Sequence, residues 1–183
     1  MGVKRNFTRK SGFRDSKLII IASEGTKTEK VYFEALKEYF NNTRLHIEVL
    51  ERLESSDPTN VVKTLDKFKS EYNLRINLDQ LWLVIDVDRW GNRKLSNVSQ
   101  QCIQKSYKLA VSNPAFEIWL LLHSKTLDDY SEEEKQVFLQ NPKTHNRSRL
   151  EHELVAVLGS YNKSKPDMNI FLPQVEGNYS RGF

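Results

Sequence analysis

Residues 81–88 read Leu-Trp-Leu-Val-Ile-Asp-Val-Asp, and the fold follows from this run. Five apolar residues in a row, several of them branched, make a strand covered on both faces, as the inner strands of parallel sheets are. Two acids stand at its carboxyl end. A second run of the same kind, Lys17–Ala22 (KLIIIA), lies earlier in the chain and is broken by Ser23-Glu24-Gly25-Thr26. Between the two, Leu45–Leu50 (LHIEVL) alternates like a strand, and beyond them Lys108–Val111 reads as a short one.

Helical patterns fill the intervals. Thr28–Phe40 carries Tyr32, Phe33, Leu36, Tyr39 and Phe40 on one stripe, with Thr26 and Glu29 at capping-box spacing before it. Asp57-Pro58 starts a helix whose apolar face is Val61, Val62, Leu65 and Phe68. Further helices are predicted near Val98–Ser106, over Ala115–Leu122 behind Asn113-Pro114, after the Ser131/Glu134 capping box, and over Asn146–Leu158. Strands alternating with helices of this length predict an α/β chain with a mainly parallel sheet flanked by helices.

Residues 1–16 read as a basic, flexible tail and 17–183 as a single domain. Lys4, Arg5, Arg9, Lys10, Arg14 and Lys17 crowd the first segment against one acid, Asp15, either as a solvated tail or as an arm along a phosphate backbone. From Gly159 onward the periodicity fades, and the C-terminal part reads as irregular or truncated. The net charge of +4 favours an anionic partner only mildly. The longest apolar runs are far short of the eighteen or so residues of a membrane span. One cysteine, Cys102, excludes an internal disulfide and a cysteine-built zinc site. With no secretory h-region behind the basic start, the expected compartment is the cytoplasm.

Function in open α/β sheets collects at the carboxyl ends of strands. Glu24 follows one buried strand, and Asp86 and Asp88 leave the other. The two-residue period of a strand points Asp86 and Asp88 to the same side. With the two strands adjacent, Glu24 joins them, and three carboxylates converge. Burying them unpaired would cost several kcal/mol. A hard divalent cation answers that repulsion, and an all-oxygen set suits Mg²⁺ or Mn²⁺. In such a centre Asp86 and Asp88 hold the ion, while Glu24 either completes the shell or serves as general base.

Other candidates surround these three. Gly25 allows a tight turn with φ above zero, after which helix N–H groups could meet a phosphate, with Lys27 and Lys30 at the mouth. Glu29 is either a capping residue or a ligand one turn from Glu24. Glu117, a charge in an apolar helix, binds metal, holds a cation such as Lys27, or lies on an exposed face. Asn113 caps and turns the chain or contacts the site. Arg89, Arg93 and Lys94, with Trp90 between them, form either a polar connection or a loop that grips a nucleic-acid backbone and stacks on a base. Lys143, Arg147 and Arg149 could extend that surface. His123 ends its helix, where the dipole favours a protonated imidazole.

Three motifs in order, Glu24-Gly25-Thr26-x-Thr28-Glu29-x-x-Tyr32-Phe33, Asp86-Val87-Asp88, and Ser112-Asn113-Pro114-x-Phe116-Glu117-x-Trp119-Leu120-Leu121-Leu122-His123, resemble the RloB-like family, which includes AbiLii-type abortive-infection proteins. The resemblance runs from about Lys17 to His123 and more weakly to Tyr161, where Tyr161-Asn162-Lys163 is similar to the family's Tyr-x-Lys element. It implies a Toprim-like three-layer sandwich. It also implies a metal-dependent nuclease module acting in anti-phage defence beside an ABC-type ATPase, with Glu24 as the Toprim glutamate and Asp86 and Asp88 as its D-x-D pair. Two functions are therefore expected in competition: a Mg²⁺-dependent endonuclease on RNA, tRNA or DNA, and a non-catalytic Toprim-like module that binds nucleic acid or protein. A type I or II topoisomerase is a poor third expectation, because its strand-cleaving tyrosine needs additional domains for which 183 residues leave no room.

Overall fold

Four parallel strands form the central sheet of this computed structural model, which describes residues 4–6, 16–40, 45–51, 57–75, 77–87 and 90–179. In chain order the first half runs β1 (Arg5–Asn6), β2 (Lys17–Ser23), α1 (Thr28–Tyr39), β3 (Leu45–Leu50), α2 (Pro58–Glu71), β4 (Tyr72–Asn73) and β5 (Gln80–Asp86). Then follow α3 (Asn92–Lys105), β6 (Lys108–Ser112), α4 (Glu117–Leu121), a 3₁₀ turn at Leu127–Asp129, and α5 (Glu132–Gln140). The chain continues with β7 (Lys143–Thr144), β8 (Arg147–Ser148), α6 (Arg149–Leu158) and α7 (Met168–Tyr179).

The sheet order is β3-β2-β5-β6. From β2 the chain steps outward to β3, then returns past β2 to place β5 on its other side. Right-handed crossovers put α1 on one face and α2 and α3 on the other, giving three layers. The sequence pattern follows from this burial on two sides. Leu18, Ile20 and Ala22 of β2 join Leu81, Leu83 and Ile85 of β5 in a core with Val61, Val62 and Leu65 of α2 and Val98 and Cys102 of α3. Ile21 and Val84 face the opposite way, into a second core with Tyr32, Phe116, Leu120, Leu150, Leu154 and Phe171. Asp86 has the parity of Val84 and so leaves the sheet on the α1 and α4 side. The point where the topology reverses lies between the carboxyl ends of β2 and β5, where open α/β sheets form a crevice.

Several element boundaries differ from the sequence expectation, each for a local reason. The Thr26/Glu29 box does not form: Lys27 is the N-cap of α1, without a side-chain capping bond. Asp57 does cap α2, its Oδ1 accepting the Thr59 N–H at 2.9 Å with Pro58 in the first turn. α3 begins at Asn92, so Arg93 and Lys94 lie in a helical turn and not in a loop. α4 is shorter than expected and has Phe116 as N-cap, so Ser112-Asn113-Pro114 turns the chain without capping it; the Asn113-Pro114 peptide is cis. Residues 143–148 are a hairpin, with His145 and Asn146 at positive φ, and α6 waits for the Ser148/Glu151 capping box. Of the expected tail, Arg5–Asn6 pairs in parallel with Tyr72–Asn73, and residues 1–3 and 7–15 lie outside the described residues. No described helix is long and apolar enough to cross a membrane.

The C-terminal region expected to be irregular contains α7, which packs on α1. Its anchor is Phe171, 1% exposed, edge-on to His123. His123 is not a charged helix end. Its Nδ1 lies 2.9 Å from the Trp119 carbonyl and must donate, so Nε2, 3.1 Å from the Tyr32 hydroxyl, accepts. Burial lowers its pKa and keeps it neutral. Truncating Phe171 to Ala should cost about 3–5 kcal/mol, the usual range for a buried phenylalanine. A urea titration measures it: the midpoint should fall with the m-value unchanged, and a loss below about 1 kcal/mol would mean that α7 contributes little to the second core.

Candidate acidic site at the carboxyl rim of the sheet

β2 and β5 pair in parallel with Ser23 opposite Val84, which brings Glu24 level with the end of β5. The Glu24 N–H continues the ladder to the Val84 carbonyl at 2.9 Å. Its side chain, buried, turns across the strand gap. Oε2 accepts the backbone N–H of Asp86 at 3.3 Å and the indole N–H of Trp90 at 2.9 Å. Glu24 and Asp86 therefore occupy one rim of the sheet. Asp88 and Arg89 lie outside the described residues.

Two more carboxylates close on this pair. Glu29, in the first turn of α1, is buried, and its carboxylate folds back onto Gly25: a Cβ at residue 25 would collide with it. A side chain at residue 25 would displace that carboxylate, and Gly25 does not adopt the positive φ that a glycine there would allow. Glu117, at the start of α4, is 2% exposed. The preceding residue, Phe116, gives its backbone N–H to the Asp86 carboxylate. Burial, then the charges of Glu29, Glu117 and Glu24, push the Asp86 pKa up to about 8. Burial raises Glu29 as well, opposed by a hydrogen bond from its own backbone, while Glu117 and Glu24 add to the rise.

The cation that answers Glu117 is Lys163, and not Lys27. Its Nζ lies 2.8 Å from Glu117 Oε1 and 3.7 Å from Glu151 Oε1. Burial alone would disfavour the ammonium, but Glu117, Glu151 and Glu29 outweigh it and raise the Lys163 pKa. Thr28, expected only as the start of a helix, donates its hydroxyl to the Lys163 carbonyl at 2.7 Å across 135 residues. The Tyr161 hydroxyl is buried beside them, and its pKa is raised by that burial first and then by Glu117. Lys27 is exposed at the α1 N-cap, Asn113 is exposed at the turn before α4, and Lys30 pairs with Glu51 at 2.7 Å.

The expected basic grip is committed elsewhere in part. Lys94 is ion-paired with Asp57 and sits 4.9 Å above the Trp90 ring. The hydrogen bonds from Lys94 and Thr59 hold Asp57 down at about 2. Trp90 faces Glu24 and is not presented as a base platform. Arg93 is exposed at the start of α3. Arg149 pairs with Glu153 at 2.8 Å. Lys163, Thr28 and Glu151 are residues to which sequence reasoning gave no role in this site, and Trp90, read as a base-stacking residue, is bonded to Glu24. A buried Glu117 did signal the need for a cation, but nothing in the spacing named which one.

Among the described residues no three Asp, Glu, His or Cys side chains are arranged as a ready-made metal set. In chemistry the residues suit a hard divalent ion nonetheless. All donors are oxygens, and Asp86 holds a proton near neutrality because it is buried and then because Glu29, Glu117 and Glu24 surround it.

Against known proteins, one family model matches, that of RloB-like proteins, over residues 19–175. No curated protein and no solved structure matches.

Asp86 binds its proton more tightly in the folded protein than in the unfolded chain. Between the ordinary carboxylate range near 4 and about 8, the folded state carries a proton that the unfolded state has lost, so stability falls as pH rises through that window. Metal-free wild-type protein should therefore lose stability from about pH 5 to about pH 8 relative to Asp86→Asn, which cannot ionise. Urea melts at several pH values test this, and parallel pH profiles for the two proteins would refute it.

Proposed function

The chain belongs to the RloB-like family, and we propose that it is a Mg²⁺- or Mn²⁺-dependent nuclease that hydrolyses phosphodiesters of RNA, tRNA or DNA. The observation that carries this reading is the Asp86 carboxylate, half-buried beside Glu24 and within the field of Glu29 and Glu117. Such a cluster is strained without added positive charge, and perturbed acids of this kind mark functional sites.

Glu24 and Asp86, with Asp88, are the residues that would hold the ion; Glu29 lies close enough to contribute to its field. When bound, the ion supplies acidification of a water and neutralisation of a leaving oxygen. The chain's own groups orient and insulate. Trp90 fixes one oxygen of Glu24 through its indole N–H, and Phe116 fixes Asp86 through its amide. Lys163 keeps Glu117 neutralised. Lys27 and Asn113 are the auxiliary contacts of this reading, and Arg89 and Arg93 its nucleic-acid contacts. The setting implied by the family resemblance is anti-phage defence with a partner ABC-type ATPase, and any nucleotide hydrolysis would come from that partner, because the given sequence carries no P-loop signature.

One observation favours the second reading, a non-catalytic module that binds nucleic acid or protein: no three described acids converge as ligands. Calorimetry separates the two, because absence of Mg²⁺ or Mn²⁺ binding at millimolar metal supports the binding module.

The activity test uses a mixed panel of tRNA, single-stranded DNA and plasmid with and without divalent metal. Metal-dependent cleavage is expected, and Glu24→Ala and Asp86→Ala should abolish it while circular dichroism stays native. Undiminished cutting by both variants would reject the assignment.

A further inference from the structure

We propose that the cleft between α6 and the start of α7 binds a nucleotide, holding its phosphate with Arg147 and Lys165 and its ring against an apolar wall. The carboxylates of the sheet rim take no part in this site, so the inference is independent of the metal-dependent reading above.

The cleft encloses about 300 Å³, at the small end of the range for ligand pockets. Its apolar wall comes from Val155 and Leu158 of α6 and from Ile170 and Phe171 of α7. The loop between these helices supplies the polar wall, and Arg147 of β8 completes the lining. That loop is shaped without a ligand. Asn162 accepts the Lys165 N–H at its carbonyl (3.0 Å) and the Ser164 N–H at its side chain (2.9 Å), while Thr28 ties the Lys163 carbonyl to α1 at 2.7 Å.

Two cations, Arg147 and Lys165, stand in this lining against one carboxylate, Asp167. Both are exposed, and among the described residues neither side chain makes an ion pair or a hydrogen bond. The same holds for the backbone N–H groups of Gly159, Ser160 and Tyr161. α6 ends at Gly159, whose φ is 78°, with no capping hydrogen bond, and a Cβ there would meet no atom within 4 Å. Successive N–H groups at such a turn make a concavity for an anion, and arginine grips phosphate oxygens with paired donors. Acceptors are present too. The last carbonyls of α6 lack a cap, and Asp167 uses Oδ1 for Asn169 at 3.1 Å, which leaves Oδ2. Acceptors call for hydrogens that a phosphate dianion does not have but that a ribose and a base edge supply. Cations, acceptors and an apolar wall in one small cleft therefore fit a nucleotide better than a bare anion or a lipid chain.

The probe is AMP, titrated by calorimetry into the full-length protein with chelator present, so that no divalent ion contributes. AMP should bind, with adenosine and inorganic phosphate each weaker by about tenfold or more, since each lacks one half of the recognised group. Arg147→Gln and Lys165→Gln, both at exposed positions, should each weaken AMP by about tenfold, the usual loss for a charged hydrogen bond. Lys143→Gln removes an exposed cation outside the cleft and should change nothing. In the amide spectrum, the signals of residues 159–161 should move with AMP. A short single-stranded DNA with and without a 5′ phosphate separates the two sources of this chemistry: binding that needs the terminal phosphate and is displaced by AMP marks a strand end, and binding of AMP alone marks a free nucleotide. No binding of AMP at millimolar concentration overturns the proposal. So does phosphate that binds as tightly as AMP, or a loss in Lys143→Gln equal to that in Arg147→Gln. None of these outcomes bears on metal-dependent cleavage, which is measured separately.

Discussion

Like charges brought together at the rim of a parallel sheet are the constraint to which the surrounding structure responds. Two carboxylates 4 Å apart repel by about 4 kcal/mol at an effective dielectric near 20, against a total stability of roughly 5–15 kcal/mol for a domain. Four acids gather here, and the chain answers them with separate devices. A backbone amide and an indole N–H hold Glu24. The Phe116 amide and a retained proton relieve Asp86, and an ammonium neutralises Glu117. The side chains and amides that serve as these devices come from several parts of the chain, from β5 to the turn before α7.

This makes the C-terminal third part of the site and not an appendage. Residues 161–163 reach back to the first turn of α1, and α6 contributes Glu151 to the same ammonium. Phe171 of α7 rests on His123, which in turn holds the Tyr32 hydroxyl from α1. α1 is thus braced at its first turn by a polar bond and further along by an aromatic stack. The segment that carries Glu29 is fixed from two directions by chain that follows it by 91 residues at the Tyr32–His123 bond and 135 at the Thr28–Lys163 bond.

Much of the sheet was legible because burial on both faces leaves a strong pattern. The runs at 17–22 and 81–85 could be read as inner strands, and the acids at their ends as neighbours. The structure agrees for Glu24 and Asp86, while Asp88 lies outside the described residues. Asp57-Pro58 was legible because a cap is a local event. The Thr26/Glu29 spacing misled for the opposite reason: the Glu29 side chain is drawn toward Gly25 and the buried cluster, a tertiary effect that no local rule contains. The Lys163–Glu117 pair was invisible because any lysine would have served and only the folded path selects one. α7 was hidden by Pro173 and by a short apolar run; its place is set by one buried ring at Phe171. The basic stretch after β5 was read either as a polar connection or as a grip on nucleic acid, and Lys94 and Trp90 instead engage Asp57 and Glu24.

The contact between Gly25 and Glu29 also constrains how this site can change over time. The carboxylate of residue 29 fills the space that any side chain at residue 25 would enter. A glycine lost first must push that acid out of the cluster, whereas an acid shortened first leaves room for a later alanine. The two positions are therefore coupled, because a side chain at residue 25 moves the carboxylate of residue 29 aside unless that residue is shortened first.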